Sequence, residues 1–107
     1  NQEMQHNAQK AADFLKALAH EHRLMVLCHL AEKPHCVGEL QEKLGISQPL
    51  VSQHLKRMMD ENLVQTDRHQ QKIIYSLKGE ATEKIMQTLY NIFCQEDEAT
   101  PTNTKKG

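Results

Sequence analysis

Residues 38–63 read GELQEKLGISQPLVSQHLKRMMDENL, and this stretch decides the fold. Glu39 to Leu44 forms a short helix with Leu40 and Leu44 spaced i, i+4 on one face. Gly45 stops it, because glycine takes the left-handed conformation after a helix at little cost. Ile46 is the apolar plug of the turn. Ser47 is an N-cap for a second helix running from Gln48 to Asn62, and Pro49 sits in its first turn, where a missing N–H costs nothing. Val51, Leu55, Met58 and Met59 make one buried stripe along that helix. The opposite face carries Gln48, Ser52, Gln53, Lys56 and Arg57, with His54 near its edge.

No acid occurs between Glu42 and Asp60. Amides, hydroxyls and cations are the groups that read base edges and hold phosphates in a major groove. A helix-turn-helix lays the N-terminal part of its second helix there. An ordinary helical hairpin with a solvated polar face is the alternative that this stretch leaves open.

Beyond Leu63 the period changes to two. Val64, Thr66 and Arg68 alternate with Gln65, Asp67 and His69, and Lys72-Ile73-Ile74-Tyr75-Ser76-Leu77 is β-branched and aromatic. The pattern predicts a hairpin that turns near His69-Gln70-Gln71, although no glycine marks the turn. A loop followed by one strand is the simpler reading. As a hairpin directly after the second helix it is a wing. Its tip offers Arg68, His69, Gln70, Gln71 and Lys72 to phosphates and the minor groove.

Upstream, residues 7–19 predict a first helix with Ala11, Phe14, Leu15, Leu18 and Ala19 in its stripe. Glu21 to Glu32 predicts a second, apolar on nearly all sides through Leu24, Met25, Val26, Leu27, Cys28, Leu30 and Ala31, and therefore central. Pro34 prevents its continuation. A last helix from Glu80 to Cys94 carries Ile85, Met86, Leu89, Ile92 and Phe93, and the polar segment 95–107 reads as a disordered tail. The fold class is thus mainly α with a β-hairpin, in the order α-α-α-α-β-β-α. This is a winged helix-turn-helix with one domain over 1–94. The first and last helices have apolar surface to spare. That predicts a homodimer, with Phe14, Leu18, Leu89 and Phe93 as candidate contacts and an inverted-repeat site on double-stranded DNA. Packing into the monomer core is the other role open to these side chains.

Composition bounds the partners. Of 107 residues, 38% are hydrophobic and 25% charged, with a net charge of −1, so any nucleic-acid surface must arise from local charge. The start NQEMQHNAQK is polar and no apolar run approaches about eighteen residues, so a cytoplasmic location without a membrane partner is expected. The chain has three cysteines and no zinc-finger spacing. No Gly-rich phosphate loop, nucleophile motif or Cys-X-X-Cys pair is present, which argues against an enzyme or thiol carrier and predicts no cofactor.

The run AHEHRLMVLCHLAEKPHCVGELQEKLGISQPLVSQHLKRMMDENLV resembles the ArsR family of small winged-helix repressors. The most specific parts are HRLMVLCHL, VGEL and SQPLVSQHLKRM. With KIIYSL the likeness spans about residues 10–94. Many members sense metals. The family's arsenic-type Cys-Val-Cys is Cys36-Val37-Gly38 here, without the second thiol, and the zinc-type site fails because no histidine follows His69. A soft metal at Cys28, Cys36 and His35 stays open, and otherwise no metal is expected. Cys28 within LCHL and Cys94 within NIFC match, position by position, the dithiol of the persulfide- and redox-sensing (SqrR/BigR/HlyU-like) branch. The resemblance implies that these two thiols bridge on oxidation by reactive sulfur species, as inducer, and that DNA affinity then falls. Cys36 departs from that pattern as a third thiol, either a resolver or a spare. A metal-responsive repressor and a redox-insensitive factor or anti-silencer are the alternatives.

Overall fold

The computed structural model describes residues 1–94, with Cys94 by its backbone alone; the tail expected at 95–107 lies outside the described residues. Helix α1 spans Gln2–Leu18 and α2 spans Glu21–Glu32. A two-residue strand, β1 (His35–Cys36), leads into α3 (Val37–Leu44). Then come α4 (Gln48–Asp60), β2 (Val64–His69), β3 (Lys72–Leu77) and α5 (Glu80–Leu89), which runs on into a π-helical turn, Tyr90–Cys94. Among the described residues no helix is long and apolar enough to cross a membrane. The winged helix expected from sequence is present, with β1 added.

The helix-turn-helix follows local chemistry. Gly45 ends α3 at φ 71°. The Ser47 hydroxyl accepts the Leu50 N–H and caps α4. At the far end α4 stops at Asp60, two residues earlier than the spacing predicts. Asn62 takes φ 62°, its N–H donates to the Met59 carbonyl, and the Leu63 N–H donates to the Met58 carbonyl. These bonds form a Schellman cap, with asparagine standing in for the usual glycine. The same positive φ appears at Gln70, where the hairpin turns without glycine.

The hairpin register pairs Val64 with Leu77 and His69 with Lys72. The sheet order is β1-β3-β2, all antiparallel, with His35 opposite Tyr75 and Cys36 opposite Ile74. The wing is therefore anchored at its base by a strand that the periodicity did not predict. The Lys78 N–H donates to the Leu63 carbonyl and closes that base.

The core is Leu18, Val26, Leu27, Leu30, Leu40, Val51, Leu55, Met58, Leu63, Val64, Leu77 and Met86. It sits between α2, α3, α4 and α5 and the root of the sheet. Each fully buried aliphatic side chain contributes roughly 1.5–3 kcal/mol of transfer free energy, so this cluster orients α4 from beneath. Met59, expected in the buried stripe, is 38% exposed. Its position one residue past Met58 turns it to the rim, where the core does not reach. Leu18, expected at a dimer contact, is instead only 2% exposed and belongs to the core.

Among the described residues Arg23, His35 and Thr82 are the buried polar side chains. Arg23 donates from Nε to the Ala17 carbonyl and so ties α2 to the end of α1. His35 is fully buried, with Nδ1 at 2.7 Å from the Lys33 carbonyl and Nε2 at 2.7 Å from Lys43 Nζ. Burial above all holds its pKa below the ordinary histidine range. Helix α1 begins at Gln2 rather than near residue 7, because the Asn1 side chain accepts the Glu3 and Met4 N–H groups. Most of α1 is exposed, including Met4 and Leu15.

Candidate nucleic-acid interface and cysteine site

Burying Val51, Leu55 and Met58 forces the other side of α4 outward. Ser47, Gln48, Ser52, Gln53, Lys56 and Arg57 are all exposed there. The first turn of α4 holds no acid, so the partial positive charge of its N-terminus is uncompensated toward an anion. Lys56 reaches Asp60 at 3.4 Å and Arg57 reaches Glu61 at 3.6 Å, each one turn along the helix. Such exposed pairs are worth about 0–1 kcal/mol, so a phosphate can replace either acid at little cost.

At the wing tip Arg68, His69, Gln70, Gln71 and Lys72 are exposed. His69 Nε2 lies 3.2 Å from Asp67 Oδ2. The hairpin carries these groups away from the core on the register His69–Lys72. The interface residues selected from sequence therefore fall into two groups, a helix face and a wing tip.

His54 stands apart from both. It is partly buried and its Nε2 is shut from solvent without a hydrogen-bond partner. Its ring lies 5.0 Å from that of His20 and 5.6 Å from that of His22. Burial, then the neighbouring His20, His22, Arg23 and Arg57, hold it below the ordinary histidine pKa. The period-3.6 pattern put His54 at the edge of the polar face. It could not show that the α1–α2 turn closes over that edge.

Cys28 lines an apolar recess of about 350 Å³ with Glu21, Leu24, Met25, His29, Glu32 and Tyr90. Tyr90 O–H donates to Glu32 Oε2 at 2.7 Å, which fastens the π-helical turn to α2 beside Cys28. That bond is the main cause of the lowered Glu32 pKa. Cys28 is disulfide-bonded, whereas Cys36 is a half-buried free thiol. Cys36 instead opens α3, its N–H donating to Glu39 Oε1 at 2.9 Å. The Cys94 side chain lies outside the described residues. His35 is committed to Lys33 and Lys43, so the Cys28, Cys36 and His35 combination does not form an open soft-metal site. Tyr90 is a site residue that sequence reasoning missed, since nothing in its neighbours signals a bond to a side chain so distant in the chain.

Residues 20–66 match the model of the family described as bacterial regulatory protein, arsR family. The chain is 44% identical over 93 residues to the HTH-type transcriptional regulator YgaV of Escherichia coli (strain K12), covering 86% of this chain and 94% of YgaV. It is 36% identical to the biofilm growth-associated repressor of Xylella fastidiosa (strain 9a5c), covering 90% and 84%. The transcriptional activator HlyU of Vibrio cholerae is 38% identical over 94 residues. The structure of reduced HlyU from that species matches with a TM-score of 0.83, covering 89% of this chain and 100% of HlyU. These relatives are named as a transcriptional regulator, a repressor and a transcriptional activator. With the exposed polar face of α4, whose first turn holds no acid, and the wing behind it, this chain belongs to the arsR family of bacterial regulatory proteins and is a winged-helix transcriptional regulator.

Proposed function

We propose that the chain is a homodimeric, redox-responsive repressor that binds an inverted-repeat operator when reduced and releases it when Cys28 and Cys94 are bridged. The observation that carries DNA readout is the exposed polar face of α4, without an acid in its first turn, opposite a fully buried stripe. Gln48, Ser52 and Gln53 approach base edges in the major groove, with Ser47 at the helix start and His54 at the margin. Lys56, Arg57 and the wing residues Arg68, His69, Gln71 and Lys72 hold the backbone. One short helix reads few base pairs, so a two-fold pair of them is required for specificity.

Dimerisation is supported by the apolar surface left on the terminal helices. Leu15 is 53% exposed on α1 and Phe93 is 76% exposed on the π-helical turn, beside exposed Met4 and Ile92. Phe14 and Leu89 are partly buried and pack against the core.

The switch is supported by the disulfide-bonded state of Cys28 and by the packing of α2 on the Tyr90–Cys94 turn. Cys94 as the second thiol follows the resemblance of LCHL and NIFC to the redox-sensing dithiol, and Cys36 is a free thiol. In the reaction one thiolate attacks the outer sulfur of a persulfide and expels the carrier thiolate. The second thiolate then attacks the modified cysteine sulfur and expels hydrosulfide, leaving a disulfide. If both thiols are first persulfidated, the same displacement leaves a trisulfide. The bridge joins the domain centre to the dimer surface and so alters the spacing of the two α4 helices. Each tenfold loss of affinity needs only about 1.4 kcal/mol of coupling.

Fluorescence anisotropy with duplexes from the chain's own promoter region tests this reading at two salt concentrations. Tight binding by the reduced protein, lost on treatment with a persulfide donor and regained on reduction, is the expected result. Equal binding to operator and random DNA would refute sequence readout. Equal binding by reduced and treated protein would refute the switch. The relative named as an activator favours a second reading, in which binding relieves silencing; reporter output on deletion of the chain separates the two.

A further inference from the structure

We propose that His20, His22 and His54 form a three-imidazole site for a divalent first-row transition cation, with Zn2+ as the representative, joining the start of α2 to the recognition helix. One ligating nitrogen from each residue lies within 4.8 Å of the other two. His20 caps α2 in the turn after α1, His22 is in the first turn of α2, and His54 projects from the middle of α4. The three rings face one another at 5.0 to 5.6 Å between centroids.

The decisive atom is His54 Nε2, which is buried and has no hydrogen-bond partner in the protein. A buried, unsatisfied imidazole nitrogen is costly, and a bound cation supplies the missing partner. Tetrahedral Zn–N bonds of 2.0–2.1 Å place ligand nitrogens about 3.3 Å apart. The nitrogens therefore need to close by up to about 1.5 Å, and His20, at an exposed turn, has room to move. Its Nδ1 now accepts the His22 N–H at 3.1 Å, so ligation by His20 exchanges that cap for the metal bond.

A surface pocket beside His20 and His54 is also lined by Arg23, Lys56 and Arg57, which oppose a dication, and by the Asp60 carboxylate, which offsets one of these charges. An all-imidazole donor set selects zinc, nickel or copper over magnesium or calcium. The neighbouring group of His29, Glu32 and His35 is of similar size but is already spent. His35 is bonded at both nitrogens and Glu32 accepts the Tyr90 hydroxyl.

The test is Zn2+ titration of the full, reduced wild-type chain against a chromophoric chelator, together with the absorption spectrum of the Co2+ form. One ion per chain is expected, with visible ligand-field bands and without intense near-ultraviolet thiolate charge transfer. Loss of an outer-shell partner alone costs about 10–100-fold in metal affinity, so His54→Gln and His22→Gln should each weaken binding at least about tenfold. His29→Gln should leave it unchanged. Circular dichroism checks each variant; if His54→Gln does not fold, the His22→Gln result decides. Unchanged affinity in the folded His54→Gln or His22→Gln variant, loss in His29→Gln instead, or a thiolate-dominated Co2+ spectrum would overturn the site.

Discussion

Lys56→Ala should flatten the salt dependence of DNA binding without altering which sequence is preferred. The Lys56 side chain is 79% exposed and pairs with Asp60 at 3.4 Å. That pair is weak, so the ammonium is available to a phosphate. Lys56, Arg57, Arg68 and Lys72 are the cations of the helix face and wing tip. Doubled by a two-fold partner they neutralise at most about eight phosphates, which gives a log–log salt slope near −7 at about 0.9 per phosphate. Lys56→Ala removes about two of these contacts per dimer and should bring the slope near −5. Between 50 and 200 mM salt the wild type should lose roughly four decades of affinity and the variant roughly three. The substitution also frees Asp60, whose carboxylate would repel the backbone. Lys56→Ala with Asp60→Asn separates that repulsion from the lost contact, because only the double variant removes both charges. Gln53→Ala is the complementary change. It should cost roughly 1–3 kcal/mol on the operator, little on random DNA, and leave the slope alone. The assay is anisotropy titration of operator and random duplexes at four salt concentrations. An unchanged slope in Lys56→Ala, or equal losses on both duplexes in Gln53→Ala, would show that α4 does not face DNA as argued.

Cys28→Ser and Cys94→Ser should each bind DNA when reduced and ignore a persulfide donor, whereas Cys36→Ser should still respond; peptide mass mapping should find a Cys28–Cys94 link, and a dominant Cys28–Cys36 link would contradict the assignment. Leu15→Asp and Phe93→Asp should each shift the chain toward monomer in sedimentation at micromolar concentration, since both side chains are exposed and apolar. Stability should fall as pH drops below about 6.5, because the unfolded chain then protonates His35 while burial resists that proton in the folded chain. Urea titrations at pH 7.5 and 5.5 check the sign: both forms are neutral at the higher pH, and a gain of stability at the lower one would contradict the buried, neutral assignment.

The helix-turn-helix, the wing and the polar face of α4 were legible in the sequence because each rests on local rules. Their signals are a 3.6-residue period, a two-residue period, Gly45 at a positive φ and Ser47 at a cap. The family followed from the same residues. What the tertiary structure alone decided involves partners distant in the chain. Strand β1 is too short to carry a period and exists because β3 offers it an edge. Leu18 and Met59 exchanged their expected environments because the edge of a core depends on where neighbouring helices cross. The Tyr90 bond to Glu32 spans 58 residues, and His54 meets His20 and His22 only after α2 folds across α4. Periodicity names the face of a helix on which a side chain lies, but not the distant segment that covers that face. For this reason the DNA-facing surface could be read in advance and the histidine cluster beside it could not.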